Sequence, residues 1–307
     1  MVCVLIVSEL RVRSQAMHNL VENLDERGLS LIKEGDWCDP MNMVGKDGKG
    51  VSAWLSMATS RAFTSWANLC HKLGEYNDEA KWNAQAKALN LAIEKYFWAD
   101  NWYARGITDN GRRFGTRDDN EGSIYLNPQA WAMLALSPSV ERVHELNKAV
   151  DTQLNTPFGP MMLAPAYTHM HTDIGRITQK SPGVAENGSV YNHAAAFYAA
   201  GLLEQGEADL AFDVLYKMLP RDSDITLRGQ LPVYLPNYYR GAYYQYPSMA
   251  GRSSHLFNTG TVAWFYHCVV DGLLGLRGAE EGLYVNPKLP STWHELHVTR
   301  NFRGHEY

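Results

Sequence analysis

Apolar residues recur at helical spacing over most of the chain. They form a broad face between residues 51 and 76, and a second periodic stretch runs from Asn77 or Asp78, either of which is a plausible cap, to about Trp98. Shorter stretches of the same kind occupy residues 15–32, 128–136, 139–154, 188–205, 207–219 and 259–274. Alternating apolar and polar residues at 102–107 and 283–307 predict short strands. The pattern therefore predicts a mainly α protein with some β structure at its C-terminal end.

Long loops rich in polar and aromatic residues separate the predicted helices. The two longest cover residues 155–187 and 220–257, and the second is crowded with tyrosines. Loops of this length inside a compact domain are usually functional or disordered. Alternating short and long connections are typical of helix hairpins arranged in a ring, so we predict part of an (α/α) six-hairpin barrel, or toroid. A helical solenoid is the alternative, but the sequence has no repeat of about 30 to 45 residues.

Composition and charge exclude several classes of partner. The chain has 307 residues, is 45% hydrophobic and carries a formal net charge of -5, so it lacks the basic stripe that binds nucleic acid. No apolar run approaches the roughly 18 residues of a membrane span, and the apolar opening resembles no signal peptide. The four cysteines lie far apart without a CxxC pair. We therefore expect a cytoplasmic protein without a nucleic-acid or membrane partner and without a bound metal.

A loop between residues 34 and 45 carries carboxylates on both sides of an indole. Pro40 and several glycines keep this stretch out of a helix. The indole face of Trp37 suits the apolar face of a pyranose, and a carboxylic acid such as Asp39 can protonate a glycosidic oxygen. Taken alone, the same residues are typical of a turn with a solvated aspartate. The loop becomes a candidate sugar site because of the clusters that follow it.

Two clusters at predicted helix starts carry groups suited to a sugar and an anion. Glu186 is placed near the cap of the Ala-rich helix, and His193 two turns into it. Thr259 and Gly260 open the last predicted helix, where backbone N–H groups, a hydroxyl and an unhindered glycine can hold an anion. Either cluster alone is also typical of a buried histidine or of a simple helix cap.

A third cluster carries positive charge in the first long loop. Arg176 and Lys180 are spaced so that the two cations could clamp a carboxylate or a phosphate, although a solvated basic loop is the ordinary alternative. An acid, an anion cradle, a histidine and loop aromatics together suit cleavage of a glycosidic bond by phosphate. An inverting hydrolase needs a second carboxylate to activate water. Phosphate is already a nucleophile and has only to be held, with its charge offset.

These motifs, in this order, resemble the cellobiose phosphorylase family of inverting glycoside phosphorylases over roughly residues 16–303. The matching stretches are Gly35-Asp36-Trp37-Cys38-Asp39, Glu186-Asn187-Gly188 with Tyr191 and His193, and Thr259-Gly260. The resemblance implies that Asp39 is the general acid. It implies these substrate contacts: Trp37, Arg176, Lys180 and Glu186. It implies these phosphate contacts: His193, Thr259 and Gly260.

The resemblance also implies a substrate. The Cys-Asp-Pro-Met-Asn form of the acid loop, together with Arg176 and Lys180, is most similar to members that act on cellobionic acid, where two cations bind the aldonic carboxylate. The implied reaction is phosphorolysis of 4-O-β-D-glucosyl-D-gluconate to α-D-glucose 1-phosphate and D-gluconate, with inversion. Phosphate is a substrate and no cofactor is needed. Three alternatives stay open: a neutral disaccharide such as cellobiose or chitobiose, hydrolysis with Glu186 as base, and a sugar-binding fragment without turnover.

The resemblance divides the chain into three parts. Residues 1–14 do not resemble the family, residues 15–275 are a partial (α/α) barrel, and residues 276–307 begin a C-terminal β-sandwich. The resemblance implies that full-length members are homodimers and carry further domains upstream. Residues that bind the nonreducing-end glucose, and an arginine that helps to bind phosphate, would lie in that upstream part. We therefore hypothesise that this chain is the product of a truncated reading frame or a fragment of a longer protein.

Overall fold

The computed structural model describes residues 14–220, 224–229, 234–254 and 260–307. By its internal contacts the chain divides into two compact units. The first runs to Ser137 and also includes Tyr167–Lys180, whereas the second comprises Pro138–Ala166 and Ser181–Tyr307. Among the described residues, no helix combines the length and apolar character that a bilayer crossing demands.

Helices dominate the first unit. Their bounds are residues 14–22 for the described part of α1, Ala53–Lys72 for α2, Tyr76–Phe97 for α3 and Leu126–Ala135 for α4. Helix α2 packs along α3 and also contacts α4. The apolar face of α3 contributes Trp82, Leu89 and Ile93 to the core, as its helical spacing predicts.

The starts of α2 and α3 differ in their capping: α2 has a side-chain cap and α3 has none. Helix α2 begins after Ser52, whose hydroxyl accepts a hydrogen bond from the Leu55 N–H at 3.0 Å. Helix α3 begins after Glu75 without a side-chain cap, so the predicted cap at Asn77 or Asp78 was wrong. Both of those residues lie inside the first turn of the helix.

Short strands in the first unit position the residues around the predicted acid loop. Their bounds are Val51–Ser52, Trp98–Ala99, Trp102–Tyr103, Gly106–Ile107, Arg113–Phe114 and Ile124–Tyr125. Gly106–Ile107 pairs in antiparallel fashion with Val51–Ser52 on one side and Arg113–Phe114 on the other. The predicted strand 102–107 is therefore two separate strands with Ala104 and Arg105 between them.

The second unit is built around one deeply buried helix. Its helices are α5 (Val140–Gln153), α6 (Asn192–Gln205), α7 (Ala208–Met218), the short α8 (Asp224–Arg228) and α9 (Thr261–His267), which continues as a π-helix over Cys268–Leu273. Helix α6 is buried from Asn192 to Leu203 and packs on α7 and α9. Its many alanines suit this position, because small side chains allow close packing on every side.

Strands replace part of one predicted helix. The strands of the second unit are Leu163–Ala164, Val190–Tyr191, Tyr238–Tyr239, Ser253–Ser254, Leu276–Gly278, Leu283–Val285, Asn301–Phe302 and His305–Glu306. Val190–Tyr191 pairs with Tyr238–Tyr239, so α6 begins at Asn192 rather than at 188. His193 consequently lies in the first turn of α6, and its predicted place two turns into the helix was wrong.

Candidate active site

The predicted acid loop is irregular, as its glycines and proline require. Gly35 has a φ of 144°, and a Cβ added there would lie 3.3 Å from the Asp39 carbonyl oxygen. Asp39 is exposed in the first unit, Trp37 is half-buried and Cys38 is buried. The Met41 N–H donates to the Cys38 carbonyl at 3.0 Å, which closes a turn around Asp39. The loop therefore presents the proposed acid at the surface of the unit on a tightly turned backbone.

A buried ion pair anchors the base of this loop. The Arg105 guanidinium contacts both carboxylate oxygens of Asp36, at 2.6 and 2.8 Å, and both side chains are almost completely buried. The same carboxylate accepts from the Ser52 hydroxyl at 2.6 Å and from the Cys38 N–H at 2.8 Å. Through its bond to the Cys38 N–H, Asp36 holds the backbone between Trp37 and Asp39. The ion pair therefore restrains the backbone positions from which the indole and the proposed acid extend.

The charge state of Arg105 follows from its partner. Burial has the largest single effect and lowers the pKa of the Arg105 guanidinium, but the Asp36 carboxylate, with smaller contributions from Cys38 and Tyr125, raises it, and the net pKa lies above its ordinary value. The ring of Tyr125 lies 5.9 Å from the guanidinium carbon. Sequence reasoning missed Arg105, although a lone charge within the apolar stretch 102–107 was a usable signal.

The loop that carries the two predicted cations is hydrogen-bonded to the acid loop. Arg176 begins the short 3₁₀ turn Arg176–Gln179, and the Ile177 N–H donates to the Pro40 carbonyl at 2.9 Å. The Arg176 N–H donates to the Asn42 Oδ1 at 3.1 Å. The side chain of Arg176 is exposed and that of Lys180 is half-exposed. Within the first unit, the structure thus brings the segment of both cations against the loop of Asp39.

In the second unit, His193 and Gly260 lie in contact. A Cβ added at Gly260 would lie 2.6 Å from His193 Cε1 and 2.7 Å from its Nε2. Only a glycine therefore lets the helix start approach this ring so closely. The imidazole also packs on the Phe197 ring, with centroids 4.6 Å apart. Thr259, the third predicted phosphate contact, lies outside the described residues.

Burial determines the charge of the candidate phosphate contact. His193 is 9% exposed, and burial lowers its pKa to about 4. The imidazole is therefore neutral at pH 7 and offers a hydrogen bond rather than a positive charge. Next to Gly260, the buried Thr261 hydroxyl makes no hydrogen bond to any described residue.

Glu186 lies in a turn of the second unit rather than at a helix cap. It is half-buried, follows Ala185 at a φ of 49°, and its carbonyl accepts from the Gly188 N–H at 3.0 Å. The predicted place near a cap was wrong because Val190–Tyr191 intervenes before α6. Across the described ranges, no three His, Cys, Asp or Glu residues are grouped so that they could hold a metal ion.

Comparison with known proteins gives a consistent set of relatives. The chain matches the family model "Glycosyl hydrolase 94 superfamily, catalytic domain" over residues 12–275. It is 50% identical over 293 residues to cellobionic acid phosphorylase of Neurospora crassa, and the aligned region covers 94% of this chain and 37% of that protein. It is 38% identical over 282 residues to 3-O-beta-D-glucopyranosyl-beta-D-glucuronide phosphorylase of Paenibacillus borealis, with coverages of 91% and 36%. The chain thus spans little more than a third of the length of these curated relatives.

A solved structure with low sequence identity is similar in fold. A chain titled sialidase superposes with a TM-score of 0.63 at 12% identity, covering 92% of this chain and 25% of that one. At this identity the similarity concerns the fold alone.

Proposed function

The chain belongs to the glycosyl hydrolase 94 superfamily of catalytic domains, and from this premise we propose that it is an inverting phosphorylase of a β-glucosidic disaccharide. Both relatives named above are phosphorylases, which favours phosphate over water as the nucleophile. We propose further that its helices are part of an (α/α) barrel. The family membership and the mainly helical structure support this architecture.

The proposed substrate is cellobionic acid. Its main support is the hydrogen bonding of the segment with Arg176 and Lys180 to the loop with Asp39. An aldonic carboxylate bound by these cations would lie on the leaving-group side of the glycosidic bond, where the acid must act. The two relatives are named for a cellobionic acid and a glucuronide, and both names denote sugars that carry a carboxylate.

The proposed mechanism divides the work among a few groups. Asp39 donates its proton to the glycosidic oxygen, which leaves with the bonding electron pair as the hydroxyl of D-gluconate. A phosphate oxygen attacks the anomeric carbon from the opposite face, so the product is α-D-glucose 1-phosphate. The proposed contacts of phosphate are Thr259, Gly260 and His193, whose neutral imidazole donates a hydrogen bond. Trp37 and Glu186 contact the sugar, and no cofactor takes part.

Release of glucose 1-phosphate from cellobionic acid tests the proposal. Two proteins are assayed. One is the full chain alone. The other, the joined protein, is the Neurospora crassa enzyme in which this chain replaces the segment that it matches. We expect the joined protein to release glucose 1-phosphate only when phosphate is present, and faster from cellobionic acid than from cellobiose. Glucose release without phosphate would indicate a hydrolase. Faster turnover of cellobiose would contradict the acidic substrate but not the phosphorolysis.

A further inference from the structure

Asn42 connects the loop of the proposed acid to the segment of the proposed carboxylate-binding cations. Its side-chain Oδ1 accepts from the backbone N–H of Arg176 at 3.1 Å. Backbone hydrogen bonds lie on both sides of this contact, from Ile177 to the Pro40 carbonyl at 2.9 Å and from Met43 to the Ile174 carbonyl at 3.3 Å. Asn42 is thus the side-chain member of a three-bond connection within the first unit.

Gly175 is required for this connection. Its φ of 115° is in the region that favours glycine, and a Cβ added there would lie 2.5 Å from Asn42 Oδ1 and 3.0 Å from the Asn42 nitrogen. The carbonyl of Gly175 accepts from both the hydroxyl and the N–H of Thr178, at 2.8 and 3.1 Å. The backbone that leads into Arg176 is therefore held on two sides before the arginine side chain begins.

We propose that Asn42 is a positioning residue for acceptor specificity. This inference rests on the proposed function. By fixing the backbone of Arg176 against the loop that carries Asp39, the Asn42 amide sets the separation between the bound acceptor carboxylate and the proton donor. If the backbone at Arg176 were mobile, binding the carboxylate would cost conformational entropy in both the backbone and the side chain. A backbone that is already fixed removes the first of these costs. A neutral acceptor makes no use of Arg176 and gains nothing from the connection.

The test compares acidic and neutral substrates in the joined protein. We expect Asn42→Ala to lower kcat/KM for cellobionic acid about tenfold and kcat/KM for cellobiose less than threefold. A purely structural role would lower both by the same factor, so the ratio of the two constants is the decisive quantity. Asn83→Ala, at an exposed asparagine of α3, is the matched control and should leave both constants unchanged.

A pair of glycine variants tests the same connection without changing Asn42 itself. Gly175→Ala introduces a Cβ against Asn42 at a φ of 115°, whereas Gly48→Ala also places an alanine at a positive φ, of 81°, but meets no atom within 4 Å. We expect only Gly175→Ala to reduce the preference for the acid, with thermal unfolding used to confirm that both variants fold. Equal losses on both substrates in an active joined protein overturn the role of Asn42 and leave the proposed function standing. An unsubstituted joined protein that releases no glucose 1-phosphate overturns both.

Discussion

At the scale of single residues, the proposed role of Asp39 makes a specific prediction about leaving groups. We expect Asp39→Asn in the joined protein to lower phosphorolysis of cellobionic acid by about a thousandfold or more, because the glycosidic oxygen then leaves without a proton. β-D-glucosyl fluoride needs no protonation to leave, so its reaction with phosphate should be largely retained.

The control for this substitution lies in the same part of the chain. Asp47 is exposed as Asp39 is, and Asp47→Asn should leave both reactions unchanged. Phosphorolysis of the disaccharide at a near-normal rate by Asp39→Asn would contradict the assignment of the acid. An equal loss on the fluoride would indicate a structural role instead.

His193 makes a prediction about pH and stability. Its pKa of about 4 in the folded chain lies below the ordinary value of about 6.5, so the unfolded chain binds the proton first as the pH falls. The free energy of unfolding should therefore decrease between about pH 6.5 and pH 4, by on the order of 2 to 3 kcal/mol. Urea unfolding at several pH values measures this slope.

Two variants separate this contribution of His193 from that of other groups. His193→Gln should flatten the slope of stability between pH 6.5 and pH 4, because glutamine does not titrate in this range. His144→Gln, at an exposed histidine of α5 in the same unit, should leave the slope unchanged. An unaltered slope in His193→Gln would show that the imidazole is not buried in its neutral form.

At the scale of elements, the ion pair beneath the acid loop should contribute strongly to the stability of the first unit. Removing one partner leaves a buried charge without compensation, so we expect Asp36→Asn to lower the free energy of unfolding by about 3 to 5 kcal/mol. Asp213 and Lys217 form an ion pair on α7 in which Asp213 is 51% exposed. Asp213→Asn should cost less than about 1 kcal/mol.

A double variant separates the cost of the unpaired charge from the cost of altered packing at this position. Replacing both partners, as Asp36→Asn with Arg105→Met, removes the uncompensated charge and should recover part of the stability lost in Asp36→Asn. The midpoint of urea unfolding provides the comparison. Equal costs for Asp36→Asn and Asp213→Asn would mean that the buried pair does not anchor the loop.

Elements were predictable from sequence where the local chemistry was visible. Ser139 precedes α5, and its hydroxyl accepts from the Arg142 N–H, so the predicted start at Ser139 needed little correction. The start of α6 was wrong because Val190–Tyr191 pairs with Tyr238–Tyr239, nearly 50 residues further along the chain. Apolar periodicity contains no information about such a partner, and two-residue strands are too short for their alternation to be recognised.

The same division holds for the candidate site. The order of the motifs led to Asp39, His193 and Gly260, and the structure brings the last two into contact. It did not lead to Arg105 or Asn42, because their importance lies in contacts with Asp36 and Arg176 that are 69 and 134 positions away in the chain. Supporting residues of this kind emerge only when the loops are folded against each other.

At the scale of the whole molecule, the proposed ligands should protect different units from hydrogen exchange. Phosphate is proposed to contact His193 and Gly260 in the second unit, and D-gluconate to contact Arg176 and Lys180 in the first. A bound ligand stabilises the elements that it contacts against local opening. We therefore expect phosphate to slow amide exchange at the start of α6, and gluconate to slow it in residues 36–44 and 171–180.

Hydrogen exchange followed by mass spectrometry on the full chain measures this protection without requiring turnover. Chloride at the same ionic strength is the control for phosphate, and D-glucose is the control for gluconate. Protection of residues 36–44 by phosphate, with no effect at α6, would contradict the assignment of His193 and Gly260. Equal protection by gluconate and glucose would remove the support that the two cations give to an acidic acceptor, because only gluconate carries the carboxylate that they are proposed to bind.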